Sequence, residues 1–75
     1  MKKYGKCLIA DDHPIFRKGV VNLLLHSQRF SKTAEVANAR EALSAIRLEP
    51  WDLVILDVSL PDKHGLELLK EIKLL

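Results

Sequence analysis

Three carboxylates in this 75-residue chain stand where chemistry could use them. Asp57 closes the apolar run Leu53-Val54-Ile55-Leu56 and is followed by Ser59-Leu60-Pro61-Asp62-Lys63-His64-Gly65, which reads as a loop turning into a helix. Asp11 and Asp12 close a second apolar run, Cys7-Leu8-Ile9-Ala10. If both runs are strands paired in parallel, the three acids converge at one rim of a sheet. Carboxylates crowded together repel one another, which raises at least one pKa unless a cation is shared among them. Mg²⁺ meets that demand, because it takes oxygen ligands in an octahedron, keeps several waters, and needs only one or two carboxylates with a backbone carbonyl such as that of Ser59. A carboxylate can attack phosphorus and form an acyl phosphate, provided metal and fixed donors neutralise the charge on the transferring oxygens. Asp57, at a strand end with an accessible loop behind it, is best placed as that nucleophile.

Taken singly, the same residues have plainer roles. Asp11 and Asp12 could cap a helix, an interaction worth about 0.5–2 kcal/mol, and Asp57 alone could be a turn former. His13, His26 and His64 fall near helix ends or loops without partners at ligand spacing, and read as structural or exposed. Cys7 reads as a small buried apolar residue, Lys63 as a solvated loop charge, and Trp51 as packing against the end of the second helix. Pro61 shapes the loop beyond Asp57, and Gly65 eases its entry into a helix.

The elements that must position the acids follow from the apolar pattern. Lys6 to Ala10 is a nearly continuous apolar run, as in a buried parallel strand. Pro14 fits the first position of a helix capped by Asp12 or His13, with Phe16, Val20, Leu23 and Leu24 as its apolar stripe. Ser27 to Ser31 reads as a polar turn, and Thr33 to Ala37 as a weaker strand. Asn38 with Glu41 forms a capping-box pattern ahead of a helix with Ala39, Ala42, Leu43 and Ile46 inward, stopped by Pro50. Leu53 to Leu56 is apolar on both faces, as in a central parallel strand, and a last helix from His64 or Gly65 turns Leu68, Leu69, Ile72 and Leu75 inward. Alternating strands and helices imply a parallel α/β sheet with right-handed crossovers. The expected strand order is 2-1-3, which puts Asp11, Asp12 and Asp57 at the switch point where open α/β sheets bind ligands.

Composition bounds the function classes. At this length folding buries only about 60–65% of the unfolded surface, so the chain is one small domain at most. Hydrophobic residues make up 48% and charged residues 29%, too apolar for disorder and ordinary for a soluble globular protein. The net charge of +2 owes three positive charges to Lys2, Lys3 and Lys6, read as a solvated tail. Elsewhere acids and bases alternate, so no one-sign stripe marks a nucleic-acid footprint. A single cysteine fits a reducing compartment, and no run approaches the ~18 apolar residues of a membrane span. The expected location is the cytoplasm.

Three segments in order, Asp11-Asp12-His13-Pro14-Ile15-Phe16-Arg17-Lys18-Gly19, Pro50-Trp51-Asp52-Leu53-Val54-Ile55-Leu56-Asp57 and Leu60-Pro61-Asp62-Lys63-His64-Gly65, closely resemble bacterial response-regulator receiver domains. The resemblance covers nearly the whole chain. It implies a flavodoxin-like fold, Mg²⁺ held by Asp12, Asp57 and the Ser59 carbonyl with Asp11 acting through water, and a phosphoryl group passed from a sensor histidine kinase to Asp57. Slow self-dephosphorylation is also implied. The Asp-Asp-His-Pro opening with Arg17 and Gly19 looks most like receivers joined to helix-turn-helix output domains, so DNA would be met only through a domain outside this chain.

Residues 1–75 therefore read as a partial receiver of three βα units. In the family a fourth strand ends in Ser or Thr and a fifth in Lys, both contacting the phosphoryl group, and neither position exists in these residues. Losing one preorganised donor costs roughly 3–4 kcal/mol of barrier by analogy with oxyanion holes. Strand three is expected to be an apolar edge that invites self-association. Two functions follow: a phosphoaccepting receiver, or a fragment that is not phosphorylated and acts through association or kinase binding. An aspartate-based phosphatase is disfavoured, because Asp57-Val58-Ser59 lacks the second acid two residues on.

Overall fold

In the computed structural model, residues 5–75 are described; the tail reading of Lys2 and Lys3 lies outside the described residues, whereas Lys6 lies within the first strand and pairs with Glu49, and so is not part of a solvated tail. The order is β1 (Gly5–Ala10), α1 (Pro14–Ser27), β2 (Phe30–Val36), α2 (Ala39–Leu48), β3 (Leu53–Leu56) and α3 (Gly65–Lys73). The strands lie in the order β2-β1-β3, as expected, and both pairings are parallel. From Cys7 to Ala10, β1 is 0–1% exposed, as a strand flanked on both edges and covered on both faces must be.

Side chains alternate across the sheet and so feed two cores. Cys7 and Ile9 pack with Val21 of α1 on one face, while Ala10 packs with Ala39, Ala42, Leu60 and Leu68 on the other. The first helix sits differently from the predicted stripe. Val21 is buried, Val20 and Leu24 are half-buried, and Leu23 and Phe16 are 74% and 56% exposed. The helix is turned toward β2, whose Phe30 joins the same cluster. That turn also moves the start of β2. Gln28 takes a left-handed conformation (φ 58°) and donates its N–H to the Leu25 carbonyl at 3.2 Å. The chain reverses quickly enough for Phe30 to pair with Gly5, so the predicted turn over Ser27–Ser31 shortens and β2 begins three residues before Thr33.

The capping pattern at α2 forms with one shift. Asn38 Oδ1 accepts from the Glu41 N–H at 2.8 Å, and Glu41 Oε1 accepts from the Ala37 N–H at 2.9 Å instead of from Asn38. Small Ala39 and Ala42 are fully buried, which lets α2 lie close on the sheet. At its far end Trp51 donates its indole N–H to the Ala45 carbonyl at 2.9 Å, as its packing role requires. The Lys6 and Lys32 ammoniums stand 5.7 and 5.5 Å from that ring and both pair with Glu49.

Among the described residues β3 pairs with β1 alone and is the apolar edge expected of the order 2-1-3, with Leu53 42% exposed. In α3 Leu68 is fully buried and Ile72 half-buried, whereas Leu69 is 39% exposed and Leu75, past the helix end, is 59% exposed. Replacing Asn38 by Ala leaves the Glu41 N–H without its cap and should cost about 1 kcal/mol. Urea unfolding measures this as a lowered midpoint at constant slope; an unmoved midpoint contradicts the assignment.

Candidate functional site

Parallel pairing carries the ladder one residue past the strands. The Asp11 N–H donates to the Val36 carbonyl at 3.1 Å, and the Asp57 N–H donates to the Ala10 carbonyl at 2.9 Å. Both acids are thereby fixed by backbone at the C-terminal rim of the sheet. One side-chain ligand atom from each of Asp11, Asp12, His13 and Asp57 lies within 4.8 Å of the others.

The sequence reading brought the three acids together but missed His13. Its Nδ1 is 2.8 Å from Asp11 Oδ1, 3.1 Å from Asp12 Oδ1 and 3.5 Å from Asp57 Oδ2. Its backbone N–H also donates to Asp11 Oδ1 at 2.8 Å. As the N-cap of α1, His13 is extended and makes no capping bond, which leaves its ring free to lie over the rim. Its position next to the acid pair was the available signal; spacing along the chain cannot register Asp57. His26 and His64 are structural as read: His26 Nδ1 meets the Asn22 carbonyl, and His64 Nδ1 accepts from the Leu66 N–H.

Charge follows this geometry. Burial pushes the Asp11 carboxyl up, but His13, through its N–H, ring and charge, together with Arg17, outweighs burial and holds the carboxyl below the usual range. The hydrogen bond to Asp11 holds His13 above the usual histidine range, aided by the charges of Asp12, Asp11 and Asp57 against the cost of burial. Asp12 Oδ1 is sealed from solvent and accepts no hydrogen bond. A buried acceptor without a donor, set among carboxylates, fits a hard cation such as Mg²⁺.

Ser59 is exposed and donates its N–H to Asp57 Oδ1 at 3.2 Å. The loop that carries it is closed by an antiparallel bridge between Ser59 and His64, and by the Gly65 N–H on the Val58 carbonyl at 2.9 Å. Gly65 does more than ease entry into α3. A Cβ there would stand 2.6 Å from the Asp57 carbonyl oxygen and 2.7 Å from Val58 Cα, so only glycine lets α3 begin against the backbone of Asp57.

Two further supports had no local signal. Arg17 donates from Nη1 to the Asp11 carbonyl at 2.7 Å and from Nε to Glu35 at 3.0 Å, tying the rim to α1 and β2. Asp62 accepts from the N–H groups of Ala39 and Arg40 at 2.8 and 3.0 Å, so the loop after Asp57 caps α2. Lys63 is half-buried and paired with Glu71, and so is not the solvated loop charge expected of it. Beside the acids an open groove of about 860 Å³ runs between α1 and β3, lined by apolar side chains that include Ile9, Phe16, Val20 and Ile55. Among the described residues no helix is long and apolar enough to cross a membrane.

A parallel sheet in the order 2-1-3 with an acidic pocket at its C-terminal rim defines a flavodoxin-like α/β domain of the receiver class. The sequence matches the response regulator receiver domain over residues 7–75, and the chain belongs to that family. It is similar to the Fimbriae Z protein of Salmonella typhimurium (38% identical over 71 residues, covering 95% of this chain and 34% of that protein). It is also similar to the transcriptional regulatory protein LytR of Staphylococcus aureus (38% over 63 residues, covering 84% of this chain and 26% of that protein). A CheY-like receiver domain from Methylobacillus flagellatus superposes with a TM-score of 0.85 at 28% identity, over all of this chain and 60% of that one. The chain thus spans about a third or less of these two curated relatives. Receivers are signalling modules of two-component systems, and they generally bind Mg²⁺ at an acidic pocket of this kind.

The Ala39 N–H bond, with that of Arg40 and its charge, outweighs desolvation and holds Asp62 below the usual carboxylate range. A depressed carboxyl stabilises the fold above its unfolded value and loses that contribution as pH falls toward its folded one. The Asp62→Asn variant should therefore show a flatter acid limb in a plot of stability against pH. An unchanged limb removes Asp62 from the link between loop and helix.

Proposed function

We propose that Asp57 accepts a phosphoryl group from the phosphohistidine of a sensor kinase and so switches an output, most simply transcription through a DNA-binding domain outside these residues. The observation that carries this reading is the convergence of Asp11, Asp12 and Asp57 on one pocket. The Ser59 N–H holds Oδ1 of Asp57, and Oδ2 faces the pocket. In the step, an Asp57 oxygen forms a bond to phosphorus as the bond from phosphorus to the donor imidazole breaks; the imidazole keeps the electron pair and takes up a proton. Asp12, Asp57 and the Ser59 carbonyl would hold Mg²⁺, with Asp11 acting through water. When bound, the ion neutralises charge on the transferring oxygens. Arg17 fixes the Asp11 backbone, and Gly65 lets α3 start close enough to hold the loop against Asp57. The further hydroxyl and lysine contacts to the phosphoryl group would come from chain beyond these 75 residues, and the setting would be the cytoplasm.

Acetyl phosphate with Mg²⁺ should add a phosphoryl mass that is absent in Asp57→Asn and absent without Mg²⁺. Modification that persists in Asp57→Asn, or none under any condition, overturns the assignment for this chain.

A second reading rests on β3, whose outer backbone edge is unpaired among the described residues and whose side chains are apolar. Such an edge can pair with another strand, and self-association there would not depend on Asp57. Light scattering should then give the same mass above the monomer for the native chain and Asp57→Asn; a monomer at working concentration ends this reading.

A further inference from the structure

We propose that His13 is a built-in placeholder for the cation, its ring occupying the acidic pocket until Mg²⁺ displaces it. This rests on the metal-binding reading given above and adds a role for a residue outside the ligand set. Nδ1 lies 2.8, 3.1 and 3.5 Å from carboxylate oxygens of three different residues, Asp11, Asp12 and Asp57. That is the position a shared cation would take, between acids that otherwise repel one another.

Three features favour displacement over coordination by the ring. Mg²⁺ takes oxygen ligands, and imidazole suits softer ions, so the nitrogen is a poor member of a hard-cation set. The side chain is 66% exposed and makes no capping bond to α1, so it can rotate outward without breaking the helix start. Asp12 Oδ1, although 3.1 Å from Nδ1, is sealed from water and accepts no hydrogen bond, so the ring satisfies the pocket only in part. The backbone N–H of His13 holds Asp11 Oδ1 whatever the ring does, which keeps that carboxylate in place as the cation enters. Ring and ion thus compete for one volume.

The test is Mg²⁺ titration of the chain by calorimetry at one fixed pH, with His13→Ala and His13→Asn, the latter keeping a residue favoured at helix N-caps. Both variants should bind Mg²⁺ more tightly than the native chain by about two- to fivefold, the scale of one displaced hydrogen bond. In the native chain, NMR should show the His13 ring resonances moving toward those of a free side chain as Mg²⁺ is added, with those of His26 unmoved. Binding that depends on Asp12 but is equal or weaker in both His13 variants overturns the placeholder and leaves the metal site standing. Weaker binding with the ring resonances shifted toward coordination makes His13 a ligand instead. Absence of Mg²⁺ binding in the native chain and in both variants removes the metal reading and the placeholder with it.

Discussion

Parallel pairing of β1 with both neighbours is the constraint on which the rest depends. All three strands point the same way, so their C-terminal ends open on one rim, and the residues that follow β1 and β3 are brought together. The ladder extends through the Asp11 and Asp57 N–H groups, which places the backbone of each acid before any side chain is considered. The carboxylates are crowded because of where the strands end, and the repulsion is tolerated because the sheet is held from elsewhere. Two apolar cores, one on each face of the strand whose residues Cys7 to Ala10 are fully buried, supply that hold.

Second to this come the contacts that turn a crowded rim into a defined pocket. Arg17 grips the Asp11 carbonyl from α1 and reaches Glu35 on β2, where burial pushes the Glu35 carboxyl up but Arg17 and Lys18 together bring it below its usual range. On the other side, Asp62 spends its carboxylate on the start of α2, so the loop behind Asp57 is fastened to a helix that it does not precede in the chain. Gly65 brings α3 up against the same loop. Asp57 therefore sits on a short segment anchored at three points, its own N–H on the Ala10 carbonyl, Asp62 on α2 and Gly65 against its backbone, while its side chain stays partly open.

How much of this was legible in the sequence depends on whether the information is local. Strand order, helix starts and the three acids were legible, because apolar runs, Pro14, Asn38 and the acids at run ends are local signals. The face of α1 was not, since Leu23 and Val21 are equally apolar and only the docking of Phe30 decides which turns inward. The early start of β2 depends on Gln28 adopting a left-handed conformation, which its residue type does not announce. That β3 lies at the edge followed from the strand order, although its composition, apolar on both faces, is that of a flanked strand. His13, Arg17 and Asp62 were underread for a common reason: each acts on a partner that only the folded sheet brings near.

The single tryptophan lies at the opposite pole from the acids. Trp51 follows α2 ahead of the N-terminal end of β3, bonded to the Ala45 carbonyl and overlaid by Lys6 from β1 and Lys32 from β2. Its emission should therefore report whether β1, β2 and α2 are assembled, from contacts that include none of the acids at the rim. The molecule carries an optical gauge of its own integrity at the end of the sheet away from the acidic rim, so loss of folding can be followed apart from events at that rim.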